Sequence, residues 1–382
     1  MRRRDLIVGL GSAAAWPIAG RAQQTAVPVI GYLDGGSREA RRGVVASVHR
    51  GLSETGYVEG RNLAVEYRFA ENQYDRLPGL AADLVRREVA ALIVFSSPAT
   101  VAAKTATQSI PIVFDMAGDP VALGLVASLN RPGGNLTGIT NRFYEVAAKR
   151  LELLHELLPT ATSIAYIFNP ANPVLAERQE LQLAAHTLGV RLLLVNVSDP
   201  SEFEAAFKTI VNERAGGLLM GNDTLFSDYS VQLIALAEQY RVPTMYHYSR
   251  EAATLGGLSG LIAYGVNSGD GFRQVGVYVG RILKGEKPAD LPVQLATKFD
   301  LTINLKIREN ARARSAHVHS AARRPCYRMR LCRWRSARVR RFPQWVRFGP
   351  AGCMIGTTGP PHIADLLRGG WRFRVRLFRM QG

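Results

Sequence analysis

The sequence predicts an α/β protein of two lobes, each a parallel sheet flanked by helices. After Pro28, short apolar runs alternate with longer amphipathic runs, which is typical of parallel strands joined by helical crossovers. A dense turn signal of Asn, Pro and Gly at residues 129–135 interrupts the alternation near its midpoint, and the alternation then starts again. The chain of 382 residues is long enough for two such units.

The first unit alternates apolar strands with amphipathic helices. Its predicted strands are residues 29–33, 63–69, 91–95 and 112–116, and its predicted helices are residues 38–55, 75–87 and 99–107. Pro78 lies in the first turn of the second helix, where its missing N–H is tolerated. We assign these elements to a first lobe, residues 23–140.

The second unit repeats the alternation, and we assign it to a second lobe, residues 141–262. Its predicted strands are residues 163–168, 191–196, 217–221 and 243–246, and its predicted helices are residues 144–157, 173–188, 202–213 and 226–240. The elements after it are a strand at 261–264, a helix at 268–283 and strands near 293–296 and 300–305. We expect residues 263–306 to return to the first lobe and complete both lobes, with more than one crossover between them.

The N-terminus has the three-part layout of a secretory signal peptide. Three arginines at positions 2–4 precede a mostly apolar stretch at 6–19, and small residues lie just before Gln23, the expected first mature residue. The arginines also indicate the twin-arginine export route. Pro17 and the flanking charges disfavour the alternative, a buried N-terminal helix. We predict that residues 1–22 are a cleaved signal without a lipid anchor, and that the mature protein is soluble in the periplasm without direct membrane insertion.

The formal net charge of +17 is concentrated at the end of the chain. Residues 307–382 contain 18 arginines, no lysine and two acidic residues, for a net charge of +16. The preceding residues therefore carry a net charge of +1, which is ordinary for a globular protein. The charge of the two predicted lobes does not indicate a nucleic-acid partner, and we expect none.

Candidate ligand-binding residues follow the predicted strands, because ligands bind outside the carboxyl ends of strands in open parallel sheets. The strand-end segments are residues 34–37, 96–100 and 117–120 in the first lobe and 169–170, 221–223 and 246–247 in the second. The candidate ligand-binding residues are Ser37, Ser96, Ser97, Thr100, Asp119, Asn169, Asp223, Tyr246 and Tyr264.

The chemistry of these candidates suits a small polar ligand. Ser96, Ser97 and Thr100 lie at the start of a predicted helix, where hydroxyls, backbone N–H groups and the helix dipole favour a carboxylate. Asp119 and Asp223 could pair with a ligand ammonium. Each Ser or Asp could instead be an ordinary helix N-cap. We expect no metal site and no cofactor.

Several motifs are similar to those of one known family. They are Gly-Leu-Ser-Glu-Thr-Gly-Tyr-Val-Glu-Gly-Arg-Asn at 51–62 with Glu-Tyr-Arg at 66–68, Tyr-Asp-Arg-Leu-Pro at 74–78, Ile-Pro-Ile-Val-Phe at 110–114 with Gly-Asp-Pro at 118–120, Leu-Asn-Arg-Pro-Gly-Gly-Asn-Leu-Thr-Gly at 129–138, and the stretches at 278–285 and 298–306. The chain resembles the ABC transporter substrate-binding family that is related to the tryptophan- and tyrosine-binding importer proteins. The likeness covers about residues 29–306 in one register.

The resemblance implies a type I periplasmic-binding fold, with two α/β lobes, a hinge and a ligand cleft between the lobes. It implies a solute-binding component of an ABC importer, which captures a small molecule by lobe closure and delivers it to permease and ATPase subunits. Family members that bind aromatic amino acids suggest an amino acid or an aromatic compound as the ligand.

Two alternative functions stay open at this point. An enzyme is disfavoured because the chain has no P-loop pattern and no Gly-x-Ser-x-Gly elbow, and because its histidines are scattered. We therefore expect that the protein is not an enzyme. A ligand-sensing binding protein for a signalling receptor or regulator would share the fold, although a regulator would need an attached signalling or DNA-binding module.

The Arg-rich tail, residues 307–382, departs from the family pattern at Ile307. The tail shows no sustained period of 2 or 3.6, and its excess of Arg over Lys is what a GC-rich gene gives in a shifted reading frame. We hypothesise a frameshift near codon 306 and a disordered or non-native tail. The alternatives are a basic arm for nucleic acid or anionic lipid, and a metal cluster whose spacings fit no common zinc pattern. The residues of that cluster would be His317, His319, Cys326 and Cys332.

Overall fold

The computed structural model describes residues 27–142, 144–173, 175–247, 260–266, 268–296, 298–304 and 372–378. The predicted signal peptide, the hypothesised frameshift junction and the candidate metal cluster of the tail lie outside the described residues. The strands are β1 (Val29–Asp34), β2 (Ala64–Phe69), β3 (Ala91–Phe95), β4 (Ile112–Met116), β5 (Leu136–Thr140), β6 (Ser163–Phe168), β7 (Arg191–Asn196), β8 (Gly217–Met220), β9 (Thr244–Tyr246), β10 (Gly260–Val266), β11 (Gln294–Leu295), β12 (Lys298–Asn304) and β13 (Arg372–Phe378). The helices are α1 (Arg42–Glu54), α2 (Leu77–Arg86), α3 (Ser97–Ala106), α4 (Tyr144–Leu157), α5 (Leu175–Leu188), α6 (Phe203–Asn212), α7 (Thr224–Asp228), α8 (Ser230–Gln239) and α9 (Ser268–Leu283).

The first sheet is parallel throughout, with the strand order β11-β5-β4-β3-β1-β2. Helices α1 and α9 cover one face, where Val48, Leu52 and Val279 join the buried core. Helices α2 and α3 cover the other face, where Leu84 and Ala99 pack in a second core. Alternate residues of the strands supply the two cores, as expected for a sheet that is buried on both sides.

Glycines allow helices α1 and α9 to pack at very short range. A Cβ added at Gly51 would overlap the backbone oxygen of Arg273, and a Cβ added at Gly276 would overlap the backbone oxygen of Val48. Any larger residue at these positions would therefore push the two helices apart. This contact ties the segment after the second lobe to the start of the chain.

The second sheet has the strand order β13-β12-β10-β9-β8-β6-β7. Its first five strands in chain order, β6 to β10, run parallel to one another, whereas β12 and β13 are parallel to each other and antiparallel to those five. Leu151 of α4 and Leu181 of α5 belong to the core on one face, whereas Phe207 of α6 and Leu233 of α8 belong to the core on the other. Each sheet with its helices forms one lobe.

Within the described residues the chain passes between the sheets three times. It leaves the first sheet after β5, returns after β10 to add α9 and β11, and leaves again to form β12. The predicted α/β architecture of two parallel sheets flanked by helices is confirmed. The predicted boundary at 262/263 falls inside β10.

The structure adds two details that the sequence pattern did not reveal. Strand β5 was not predicted, because its sequence Leu-Thr-Gly-Ile-Thr has few apolar residues, although all five of its residues are buried. The predicted helix 226–240 is interrupted at Tyr229, which separates α7 from α8. No helix among the described residues combines the length and apolar composition required to cross a bilayer.

One part of the tail forms a strand. β13 pairs in parallel with β12 over its full length, from Lys298 opposite Arg372 to Asn304 opposite Phe378. Arg and apolar residues alternate from 372 to 377, so this segment does have the period of 2 that we did not expect in the tail. The frameshift stays a hypothesis.

We predict that Gly276→Ala destabilises the protein by about 1 to 3 kcal/mol, because the added methyl group cannot fit against α1. The matched control is Gly79→Ala in α2, where nothing lies within 4 Å of the added Cβ. The control should leave the stability unchanged or raise it by up to about 1 kcal/mol. Urea unfolding of both variants measures the difference, and equal stabilities would contradict the tight helix contact.

Candidate functional site

A cavity lies between the lobes, where the carboxyl ends of strands from both sheets meet. Its position agrees with the rule that ligands bind at this end of parallel sheets. Residues of both lobes line it: Asp34, Arg41, Val44, Phe95, Ser96, Ser97, Asp115, Met116, Ala117, Asn141, Asn172, Asn222, Asp223, Thr224, Ser227 and Phe272. We call this space the interlobe cavity.

Asp34 ends β1 and is fully buried beside the interlobe cavity. Its carboxylate accepts hydrogen bonds from the Gly36 N–H at 2.8 Å and from the Tyr32 hydroxyl at 3.1 Å, and it lies 3.4 Å from the Arg41 guanidinium. Burial raises the pKa of Asp34, whereas Arg41 and the hydrogen-bond donors oppose that rise. The Asp-Gly-Gly turn after β1 positions these groups.

Asp115 lies in β4 and points into the interlobe cavity from the first lobe. Its Oδ1 accepts a hydrogen bond of 3.0 Å from Nδ2 of Asn141, which follows β5 at a crossing between the lobes. The other oxygen, Oδ2, has no hydrogen-bond partner among the described residues. Burial raises the pKa of Asp115 to about 7, with a smaller contribution from the charge of Asp34.

Ser96 and Ser97 form the turn from β3 into α3. Ser96 is the N-cap of the helix, and its side chain accepts a hydrogen bond of 3.3 Å from the Ala99 N–H. Ser96 has a φ of 89°, which is rare for a residue with a side chain. Ser97 is buried, and its hydroxyl has no partner among the described residues. The turn therefore presents a polar hydroxyl to the cavity at a helix N-terminus.

Asp223 is the corresponding acidic residue of the second lobe and caps helix α7. Its carboxylate accepts hydrogen bonds from the Leu225 N–H at 2.9 Å, from Asn172 Nδ2 at 2.9 Å and from Asn169 Nδ2 at 3.3 Å. Burial raises the pKa of Asp223, although each of these donors lowers it. The neighbouring Asn222 also lines the cavity.

The two lobes contact each other directly beside the cavity. The Tyr74 hydroxyl of the first lobe donates a hydrogen bond of 2.8 Å to Asp223 and lies 2.7 Å from the Thr224 hydroxyl. Asp228, at the end of α7, accepts hydrogen bonds from the Ser37 N–H at 2.6 Å and from Asn72 at 3.1 Å. Arg41 adds an ion pair of 3.0 Å with Asp228. We call these contacts the interlobe network, and they describe a closed arrangement of the lobes.

A second cavity lies within the second lobe and shares Asn172 and Asn222 with the first. Its other lining residues are Tyr166, Phe168, Asn169, Pro170, Glu177, Arg178, Gly221 and Phe226. Glu177 is buried, and burial raises its pKa, although its ion pair of 3.0 Å with the buried Arg150 opposes the rise. The second cavity is therefore a mixed surface of aromatic rings and polar groups.

The structure brings only some of the nine candidate residues to a cavity. Ser96, Ser97 and Asp223 line the interlobe cavity, and Asn169 lines the second cavity. Ser37 reaches the network through its backbone N–H. Their contact with a ligand stays a prediction.

The other candidates lie outside both cavities. Thr100 is buried, and its hydroxyl donates to the Ser96 carbonyl. Asp119 accepts hydrogen bonds from the N–H groups of its own turn and from the Tyr144 hydroxyl. Tyr246 and Tyr264 belong to the cores of the second lobe.

Sequence reasoning missed several polar residues of the interlobe cavity. Asp34 and Asn222 lie inside the strand-end segments that the sequence did indicate, but were not chosen. Asp115 could have been noticed as a carboxylate within an otherwise apolar strand. Asn141 had no signal, because the strand that precedes it was not predicted. Arg41 was missed because it lies in the predicted helix 38–55, whereas the candidates were taken from the ends of predicted strands.

We predict that Asp115→Asn stabilises the ligand-free protein more at pH 8.5 than at pH 5. The folded-state pKa of Asp115 is raised from 3.8 to about 7, so its contribution to stability is complete below pH 3.8 and is lost as the pH rises through about 7. The amide of the variant does not ionise, so the variant does not lose this stability as the pH rises. We expect a difference on the order of 1 to 4 kcal/mol between the two pH values in denaturant unfolding.

Asp290→Asn, at an exposed carboxylate of the first lobe, is the control for this pH dependence. The difference in unfolding free energy between pH 5 and pH 8.5 should be the same for this variant as for the unmodified protein. If the stability of Asp115→Asn depends on pH in the same way as that of the unmodified protein, the pKa of Asp115 is not raised by folding, and the prediction is wrong.

We predict that Tyr74→Phe shifts the lobes toward an open arrangement, because it removes the hydroxyl that contacts Asp223 and Thr224. Loss of about 1 kcal/mol changes the ratio of closed to open molecules about fivefold. Distances between labels on the two lobes, measured by pulsed electron paramagnetic resonance, report this shift. Tyr57→Phe, whose side chain has no part in the network, should leave the distances unchanged, and an unchanged distance in Tyr74→Phe would disprove the role of this contact.

Comparison with known proteins agrees with this architecture. Residues 26–314 match the model of a family described as ABC transporter substrate binding protein. A tyrosine-binding protein of Clostridioides difficile (strain R20291) is 26% identical over 272 residues, which span 70% of this chain and 74% of the relative.

Solved structures have the same fold. A conserved domain protein of Vibrio cholerae O1 biovar El Tor superposes with a TM-score of 0.66 at 26% identity, covering 75% of this chain and 94% of that protein. An ABC domain of Streptococcus pneumoniae in complex with L-Trp superposes with a TM-score of 0.65 at 21% identity, covering 74% of this chain and 94% of that one. The chain has the type I periplasmic-binding fold and belongs to the ABC transporter substrate-binding protein family.

Proposed function

We propose that this protein binds a small solute in the interlobe cavity and delivers it to the permease of an ABC importer. The observation that carries the proposal is a set of buried polar atoms that line this cavity without a hydrogen-bond partner among the described residues. They are Ser97 Oγ, Asp115 Oδ2, Asn141 Oδ1, Asn172 Oδ1 and Asn222 Nδ2. Because buried polar groups almost always have a partner, we propose that a polar ligand supplies these hydrogen bonds.

The distribution of these atoms links binding to closure. Ser97 and Asp115 belong to the first lobe, whereas Asn172 and Asn222 belong to the second. A ligand that contacts both groups makes its full set of hydrogen bonds only when the lobes are closed. Ligand binding would therefore stabilise the closed form, which is the form that we propose the permease recognises.

The ligand that we propose is an amino acid or an aromatic compound. One relative is named for binding tyrosine, and one structural neighbour was solved with L-Trp. The interlobe cavity supports this class because Phe95 and Phe272 line it with their rings edge to face, 5.6 Å apart. The cavity thus contains both polar and aromatic groups, and this combination suits a ligand that has one charged end and one apolar end.

We further propose that the protein acts in the periplasm with ABC permease and ATPase subunits as partners. Membership of the family supports these partners, and the basic and apolar segment at residues 1–22 supports export. The proposed role is capture and release of an unchanged solute. It involves no catalysis and no cofactor.

Thermal unfolding of the full chain with a panel of amino acids, aromatic compounds and sugars tests the function. A solute that binds only the folded protein adds RT ln(1 + [L]/Kd), about 2.7 kcal/mol at a hundredfold excess over Kd. We expect Ser97→Ala to weaken binding of that solute about tenfold in calorimetric titration. The control Ser53→Ala, on the exposed face of α1, should bind as the unmodified protein does. Absence of stabilisation by any solute, together with measurable hydrolytic turnover, would overturn the proposal.

A further inference from the structure

The unpartnered atoms of the interlobe cavity are mostly acceptors. Asn141 must present its oxygen, because its Nδ2 already donates to Asp115 at 3.0 Å. Asn172 must do the same, because its Nδ2 donates to Asp223 at 2.9 Å and to the Asn222 carbonyl at 3.2 Å. With Asp115 Oδ2, three buried oxygens line the cavity without a donor among the described residues. The ligand therefore has to bring hydrogen-bond donors.

The charge around these oxygens is negative. Arg41 is shared between Asp34 and Asp228, at 3.4 and 3.0 Å. Among the described residues, neither Asp115 nor Asp223 forms an ion pair with an Arg, Lys or His. Burial accordingly raises the pKa of Asp115 to about 7, and the hydrogen bond from Asn141 and the charge of Arg41 oppose that rise only in part. A cation in the cavity would offset this charge.

We infer that the ligand presents a protonated amine, which donates to Asp115 Oδ2 and Asn141 Oδ1 in the first lobe. This inference rests on the proposed function and narrows it, because it excludes sugars and aromatic compounds that lack an amine. The two acceptor residues are held together by their own hydrogen bond and are only 6% and 5% exposed, so the corner that they form is preorganised. Asn172 provides a further acceptor from the second lobe.

Gly271 of α9 leaves room for the amine. A Cβ added at this position would lie 3.1 Å from Asp115 Oδ2. Gly271→Ala therefore crowds the free oxygen while it keeps both the carboxylate and the helical backbone. It provides a second test that does not depend on removing a buried charge.

The test compares solutes in pairs that differ in the amine. L-tryptophan and L-tyrosine are paired with indole-3-propanoate and 3-(4-hydroxyphenyl)propanoate, which lack it, and with tryptamine and tyramine, which keep it but lack the carboxylate. The wider panel pairs other amino acids with their desamino acids and includes sugars. Thermal unfolding of the full chain identifies binders, and calorimetric titration measures their Kd.

We expect every binder to carry a protonated amine. Asp115→Asn should weaken its binding about ten- to a hundredfold, because a charge-assisted hydrogen bond is lost. Gly271→Ala should weaken it at least about tenfold by crowding. Asp290→Asn, an exposed carboxylate away from the cavity, should not change Kd.

The outcomes separate the inference from the proposed function. A solute without an amine that binds the unmodified protein and Asp115→Asn equally well would overturn the inference and leave the function standing. Binding of amines that neither Asp115→Asn nor Gly271→Ala weakens would also overturn the inference. No stabilisation by any member of the panel would count against both.

Discussion

The guanidinium of Arg41 holds two buried acids of different lobes, Asp34 and Asp228, and the closed arrangement depends on this shared charge. Buried carboxylates are costly unless a cation or several donors compensate them. When the lobes separate, Asp228 loses Arg41 and the Ser37 N–H together, but water then reaches the acid and replaces them. In the proposed binding cycle, hydration of Asp228 in the open state would therefore offset the contacts that this acid makes in the closed state. Such a balance is what a binding protein needs, because a ligand of modest affinity can then decide it.

The interlobe cavity also depends on how many hydrogen-bond donors each buried carboxylate receives. Within the part of the chain that the structure describes, Asp34, Asp223 and Asp228 each receive several hydrogen-bond donors, whereas Asp115 receives one, from Asn141. Ser96, held at an unusual φ, turns the chain so that Ser97 faces the cavity. Unsatisfied groups and backbone strain both lower the stability of a protein, and they are retained where a ligand compensates them.

The sequence predicted the architecture well because hydrophobic alternation is a local property. The sequence pattern did not predict β5, because this strand contains Thr and Gly in place of a continuous apolar run. Its burial follows from its pairing with neighbouring strands, which the local sequence does not show. For the site, the strand-end rule indicated Ser97 and Asp223 but could not say which way a side chain points, so Thr100 and Tyr264 were chosen although they lie in the interior. Contacts such as that between Tyr74 and Asp223, 149 residues apart, have no local signal. They depend on how the lobes meet.

The return of the chain to its first lobe has a consequence for how the protein is made. The apolar face of α1, with Val48 and Leu52, is covered by α9, which is synthesised only after the whole second lobe. The ribosome must therefore synthesise more than two hundred further residues after α1 before the first lobe can bury this face. During that interval this hydrophobic face of the first lobe has no helix to cover it. The order of synthesis alone therefore delays completion of the first lobe until α9 has been made.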